Sequence, residues 1–239
     1  MQEEFSRTVL LIGEEGLDKL SRVTVAVFGI GGVGAFAVEA LARAGIGKLV
    51  LVDPDRVERS NINRQLHATQ STIGCPKVLA MKERVANIIP SAQVEIKMQR
   101  YALETASTLL RSDYSYVLDA MDDVLAKVDL IMRARQLGVP IISSMGAGNR
   151  LSAAHFRVAD ISGTRGCPLA RKVRCNLRDV GITSGVKVVF SPEPALKPTY
   201  RARELGSRRH VPGSISFVPS VVGLLMAGEC IRDLLSAER

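Results

Sequence analysis

The sequence predicts an α/β fold, a doubly wound and mainly parallel sheet with an antiparallel C-terminal extension. Three observations carry that reading. An apolar, β-rich run at 23–28 ends in Gly29-Ile30-Gly31-Gly32-Val33-Gly34, and a second run at 48–52 ends on Asp53. Beyond them, short apolar runs and stretches of helical spacing alternate as far as Ser144, as repeated β-α units require. A strand, a glycine loop, a helix and a strand closed by an acid about 20 residues on form a Rossmann-like βαβ unit.

Each element follows from its local pattern. The run at 23–28 has no polar alternation, which marks a parallel strand buried on both faces. Residues 33–44 read as its helix and 48–52 as the second strand. Pro76 suits a first helical position, and Val78, Met81, Val85 and Ile88 recur at helical spacing up to Pro90. The alternation continues as a strand at 93–98, a helix at 103–110, a strand at 116–119, a helix at 124–137 and a strand at 139–144. From Leu151 the rhythm changes to a strand at 155–158, a basic helix at 168–179 and a strand at 186–190, the expected antiparallel addition. Residues 191–213 hold Pro192, Pro194, Pro198 and Pro212 with six basic residues, a loop long enough to be functional. A helix at 218–235 closes the chain.

Length and composition favour one domain with two functional halves, 1–150 for a nucleotide and 151–239 for a substrate and for dimer formation. The chain has 239 residues, 46% of them hydrophobic and 23% charged, so a substantial core is expected. The four cysteines, Cys75, Cys167, Cys175 and Cys230, lack any Cys-x-x-Cys spacing, which fits a reducing, cytoplasmic compartment and argues against structural zinc. The acidic Met1-Gln2-Glu3-Glu4 start does not read as a secretory signal. Glu229, Arg232 and Asp233 interrupt the apolar stretch at 215–235, so a buried or interface helix is expected there instead of a membrane span.

Net charge is +8 and unevenly placed: residues 150–210 carry 13 Lys and Arg against four Asp and Glu. A solvated basic surface and a site for a polyanion are equally served by charge alone, because phosphate neutralisation needs only cations. Lys197, Arg201, Arg203, Arg208, Arg209 and His210 are the candidate nucleic-acid contacts within that segment.

The chemistry concentrates at the carboxyl ends of the early strands. Gly29 permits a tight turn, Gly31 and Gly32 a close approach of backbone to phosphate, and Gly34 close helix packing. The glycines do not separate NAD, FAD and ATP. Asp53-Pro54-Asp55-Arg56-Val57-Glu58-Arg59-Ser60-Asn61-Ile62-Asn63-Arg64-Gln65 does, because it places acids, amides and an arginine where a dinucleotide enzyme begins its next helix. That pattern points to ATP and acyl adenylate formation. Asp53 is placed for ribose hydroxyls, with Asp55 beside it. Arg64 offers bidentate and Lys77 point-charge contacts to phosphates. Asn61 is expected to bridge ribose or phosphate, and Gln65 to hold the loop in shape. Of Asp119-Ala120-Met121-Asp122, Asp122 is favoured for Mg²⁺, with Asp119 bonded to backbone or ribose and Asp123 a helix cap. Cys167 is read as packing ahead of acting as a thiol, and His67 as a hydrogen-bonded structural side chain.

Phe5-Ser6-Arg7, Gly13-Glu-Glu-Gly16, the glycine loop, the 61–65 string, Lys77 and Asp119 to Asp122 resemble the ubiquitin-activating-enzyme-like (ThiF-like) adenylyltransferases of thiamine and molybdopterin biosynthesis. Within that superfamily, Ser143-Ser-Met-Gly-Ala-Gly-Asn-Arg150, Ala159-Asp-Ile161, Cys167-Pro-Leu-Ala-Arg171 and Pro212-Gly-Ser-Ile-Ser-Phe-Val-Pro-Ser220 are similar to the bacterial tRNA threonylcarbamoyladenosine dehydratases. The resemblance implies a homodimer using MgATP, with Arg7 reaching into the partner's site as an arginine finger, Arg64 and Lys77 on the phosphates and Asp122 on the metal. It implies adenylation of the threonine carboxylate of modified tRNA and ring closure with loss of water. A monovalent cation at the 146–149 turn and docking of a cysteine-desulfurase sulfur-transfer system stay open. Two other readings are weighed: adenylation of a ubiquitin-like sulfur carrier, and a degenerate nucleotide-binding interaction module. The basic segment disfavours the first and intact Arg64, Lys77 and Asp122 the second.

Overall fold

In the computed structural model, which describes residues 3–197 and 212–236, the chain opens with a helix not anticipated above, α1 (Ser6–Ser21). Its pattern is obscured twice. Leu10 and Leu11 point outward at 86% and 87% exposure, and Gly13 leaves helical geometry at φ 73°. Only Leu20 on this helix is fully buried.

Seven strands then form one sheet in the order β3-β2-β1-β4-β5-β7-β6. They are β1 (Thr24–Phe28), β2 (Lys48–Val52), β3 (Gln93–Lys97), β4 (Tyr116–Asp119), β5 (Ile141–Ser144), β6 (Arg157–Asp160) and β7 (Lys187–Phe190). Every neighbouring pair is parallel except β6 with β7, so the extension is antiparallel only at its outer edge. β1 lies between β2 and β4, and the order reverses there, where open α/β sheets bind ligands.

Helices cover both faces, as a parallel sheet requires. Val25 and Val27 of β1 join α2 (Gly34–Arg43), α3 (Lys77–Ala86) and α7 (Phe217–Ser236) in one core. Ala26 and Phe28, facing the other way, join α4 (Ala106–Leu109), α5 (Val124–Gln136) and α6 (Pro168–Asp179) in a second. The charges in α7 anchor it: the Tyr116 hydroxyl donates to Asp233, and Lys187 donates to Glu229 and Asp233. No helix among the described residues is long and apolar enough to cross a membrane.

Several boundaries differ from expectation for local reasons. The helix expected at 103–110 shrinks to one turn because Thr105 Oγ1 takes the Ala102 amide and Leu103 is 65% exposed. Pro76 caps α3 instead of opening it. The strand expected at 155–158 starts at Arg157, since the Phe156 amide turns back to Ala153. It ends at Asp160, whose carboxylate accepts the Ser162, Gly185 and Val186 amides.

Candidate active site

The carboxyl ends of β1, β2, β4 and β5 open on a cavity of about 1040 Å³. The glycine loop forms one wall. Gly29 has φ +89° and donates its amide to the Val52 carbonyl. A Cβ on Gly34 would stand 1.8 Å from the Gly29 carbonyl oxygen, so no side chain fits there and α2 starts immediately after the turn. A Cβ on Gly32 would meet Pro219 at 3.2 Å and Arg64 at 3.3 Å, so this wall is a tight cradle between the 61–65 string and α7.

Asp53 ends β2 and ties loop to strand. Its Oδ2 accepts the Ile30 amide at 2.6 Å and its Oδ1 the Asp55 amide at 2.8 Å. Burial pushes its carboxyl above the ordinary aspartate range, opposed chiefly by Lys77. Each oxygen keeps a lone pair, so ribose hydroxyls remain within its capacity. Lys77 opens α3, is buried, and donates to Asp55 at 2.8 Å while lying 4.0 Å from Asp53. Arg64 is half-buried and donates to the Ser60 carbonyl and Asn63 Oδ1 of its own loop. Desolvation draws its pKa below the usual arginine value.

Both amides of the string line the cavity, and Asn61 also serves the loop. Asn61 is buried and its Oδ1 accepts the Glu58 amide, part of a reciprocal cap that shapes the 58–61 turn. Gln65 lines the cavity beside Gly31, and its buried amide oxygen has no hydrogen-bond partner among the described residues. Asn61 holds the loop, and Gln65 carries the unspent polar atom.

Asp119, expected to bond backbone or ribose, is fully buried, does not line the cavity and takes a backbone partner. Its Oδ2 accepts Lys127 Nζ at 2.9 Å and Ser143 Oγ at 2.6 Å, and its Oδ1 accepts the Met121 amide. Lys127 is itself completely buried. This pair fixes the turn that carries Asp122 to the cavity, where Asp122 is exposed and makes no hydrogen bond or ion pair with another described residue. Asp123 caps α5 by accepting the Ala126 amide.

The far wall is the turn after β5, which the residue pattern only hinted at. Arg150, 3% exposed, donates to the Gly146 carbonyl, Ser191 Oγ and the Glu193 carbonyl. Asn149, at φ 57°, donates its amide to the Gly213 carbonyl and accepts the Gly213 amide on Oδ1, while its carbonyl accepts the Leu196 amide. The turn left open to a cation is thus tied to both stems of the basic segment. Cys167 is buried in the same wall at the start of α6.

The remaining candidates fall elsewhere. Arg7 is exposed on α1, between Phe5 and Val9, which line another cavity beside Gly47 and Gln93 at the amino ends of β2 and β3. Its own chain therefore holds Arg7 away from the nucleotide. Lys197 is exposed; Arg201, Arg203, Arg208, Arg209 and His210 lie outside the described residues. His67 is buried near Lys77 and Arg84, but neither ring nitrogen has a hydrogen-bond partner among the described residues, unlike the bonded role expected. Burial, reinforced by those two cations, lowers its pKa to about 4.

The site can hold a nucleoside triphosphate: a cradle without side chains, two cations, a free amide oxygen and a carboxylate at one mouth. Known proteins agree. The ThiF family model matches residues 5–239. The tRNA threonylcarbamoyladenosine dehydratase of Bacillus subtilis is 45% identical, over 98% of this chain and 96% of that protein. Crystal structures of the Escherichia coli tRNA N6-threonylcarbamoyladenosine dehydratase in complex with ATP and with AMP superpose with TM-scores of 0.91 and 0.90 at 32% identity, over 98% of this chain and 95% of theirs.

Proposed function

The chain belongs to the ThiF family, and from that membership we propose that it is an ATP-dependent tRNA threonylcarbamoyladenosine dehydratase. One observation carries the proposal beyond the likeness of sequence. A single cavity is lined by Gly29, Gly31 and Gly32 and by Ala195, Pro212 and Gly213, so the glycine cradle and the described stems of the 191–213 segment face one space.

The substrate is the carboxylate of the threonylcarbamoyl group on a tRNA adenosine. A carboxylate oxygen attacks the α-phosphorus of ATP, the bond to pyrophosphate breaks, and an acyl adenylate forms. Arg64 and Lys77 stabilise charge growing on the departing pyrophosphate, which in a partly desolvated site counts for more than in water. The ion pair of Lys77 with Asp55 holds the ammonium in place beforehand. Gln65 and the Gly31 and Gly32 amides orient the phosphates, and Asp53 takes ribose. A nucleophilic atom of the neighbouring carbamoyl group then attacks the acyl carbon and AMP leaves, an intramolecular closure favoured by proximity. The carboxylate oxygen retained on AMP, the proton lost by the nucleophile and the proton the carboxylic acid has already given up together make the water lost.

Asp122 would hold Mg²⁺. Among the described residues no three His, Cys, Asp or Glu side chains converge as a metal cage, and one carboxylate with substrate phosphates is the usual protein share of a Mg²⁺ site. When bound, the ion neutralises triphosphate charge. The distance of Arg7 from its own cavity supports a homodimer in which each chain supplies Arg7 to the other. Residues 1–150 would serve the nucleotide, and 151–239, including Lys197, Arg201, Arg203, Arg208, Arg209 and His210, the tRNA. Loss of water transfers no sulfur, so the reaction itself calls for no sulfur donor.

The test is incubation with MgATP and either modified tRNA or a ubiquitin-like sulfur carrier, following pyrophosphate and the mass of the nucleoside. Pyrophosphate release with loss of about 18 Da, one water, is expected with the tRNA alone. Adenylate formed only on the carrier would overturn the proposal.

A further inference from the structure

Most cations in this protein are spoken for. Arg22 pairs with Asp18, Arg43 and Arg84 with Glu39, Arg111 with Glu95, Arg133 with Asp129, and Lys187 with Glu229 and Asp233. Helix α6 and the turn before it break that habit. Arg165, Arg171, Lys172 and Arg178 are all exposed, and none of their side chains has a hydrogen-bond or ion-pair partner among the described residues.

Their placement is ordered. Ala170, Val173 and Leu177 bury one face of α6 in the core shared with α5. Positions 171, 175 and 178 therefore form a stripe on the opposite side, one helical turn apart, with Lys172 alongside. Arg174 is the exception that holds the stripe in position: it donates to the Thr164 carbonyl and hydroxyl, clasping the loop that carries Arg165. The amino end of α6 lies in the cavity wall, where Cys167, Pro168 and Leu169 line it. The stripe thus starts at the reaction space and runs away from it for about 18 Å along the helix.

We propose that the outward face of α6 is a docking track for the sugar-phosphate backbone of tRNA, separate from the basic segment after Lys197 and leading from the cavity outward. It rests on the reading of tRNA as substrate and says where the rest of that large molecule lies. A row of unpaired cations is what a polyphosphate neutralises with release of counterions. A second copy of this chain fits the face poorly, because a two-fold contact would set like charges together; the exposed Leu10 and Leu11 of α1 suit a copy better.

The experiment compares the unaltered protein with the combined variant Arg165→Ala, Arg171→Ala, Lys172→Ala and Arg178→Ala. At about 0.15 M salt the KM for modified tRNA should rise about tenfold, and the slope of log affinity against log salt should shrink by about 3, close to one per lost phosphate contact. The KM for ATP should not move. Independently, Cys175 stands exposed within the stripe of the unaltered protein. Its alkylation should be slowed by tRNA and not by the free modified nucleoside. An unchanged KM and salt slope, or an unprotected Cys175, would overturn the track. So would charge removal that abolishes capture of an acidic protein partner but not of tRNA. Failure of the unaltered protein to dehydrate tRNA would instead bring down the functional reading beneath it.

Discussion

The cavity wall and the α6 face treat charge in opposite ways. In the cavity wall Asp53 and Lys77 are buried and bonded to backbone amides and to Asp55, and behind that wall Asp119 and Lys127 are buried and bonded to each other, so each is held to one orientation. On α6, Arg171, Lys172 and Arg178 are exposed and carry no acid partner among the described residues. Charges buried in and behind the cavity wall are paired with the protein, whereas those of the proposed track are left to solvent. The first arrangement costs desolvation and gains precision; the second costs little and gains reach.

Breaking the paired side should have the largest effect. Lys127→Met leaves the Asp119 carboxylate buried beside Ser143 without its cation, and should cost about 3–5 kcal/mol in denaturant unfolding. Adding Asp119→Asn should restore part of that loss; a single variant as stable as the parent would show that the pair does not hold the turn. Next comes Arg64→Ala. Pyrophosphate release should fall by about 100- to 1000-fold, the usual consequence of removing one preorganised donor, with tRNA affinity almost intact. Arg64→Lys should rescue little, since an ammonium cannot reproduce a bidentate contact, and a normal rate in either variant would remove Arg64 from the phosphates.

The smallest effect sharpens the comparison through pH. His67 is neutral in the fold, with a pKa of about 4 against 6.5 for the free side chain. The unfolded chain therefore binds more protons between those values, so the stability tied to neutral His67 is complete above about 6.5 and is lost as pH falls towards 4. His67→Leu should remove about one proton from the uptake on unfolding near pH 5. Equal pH slopes in the two proteins would contradict the burial of an unbonded imidazole among cations.

The first βαβ unit was legible because its signals are local. An apolar run, a glycine turn that only glycine can make and an acid at a strand end each depend on a few adjacent residues. The carboxyl-end residues Asp53, Arg64, Lys77 and Asp122 came together for the same reason, since strand ends in a doubly wound sheet converge by topology. Lys127 and Arg150 were not legible. A lysine within a helical pattern reads as solvated, and only the packing of α5 against β4 and β5 shows that Lys127 faces Asp119. Arg150 reads as one more basic residue until its donors are seen to join 146, 191 and 193. The loop bond of Asn61 and the unbonded oxygen of Gln65 were hidden because the two amides offer the same donors and acceptors, and only their surroundings in the fold tell them apart. Helix α1 was missed because the kink at Gly13 and the outward Leu10 and Leu11 erase a single apolar stripe.

Asn149 has a consequence for how this protein can vary. Leu196 and Gly213 both bond to that one residue, so the two ends of the chain between them are stapled to a single point beside the cavity. Between two fixed ends, doubling the number of residues adds only about 0.6 kcal/mol of closure entropy. Residues could be inserted or removed between the stems with little thermodynamic penalty and without shifting either wall of the reaction space. The number of residues between the stems is thereby decoupled from the geometry of the cavity wall.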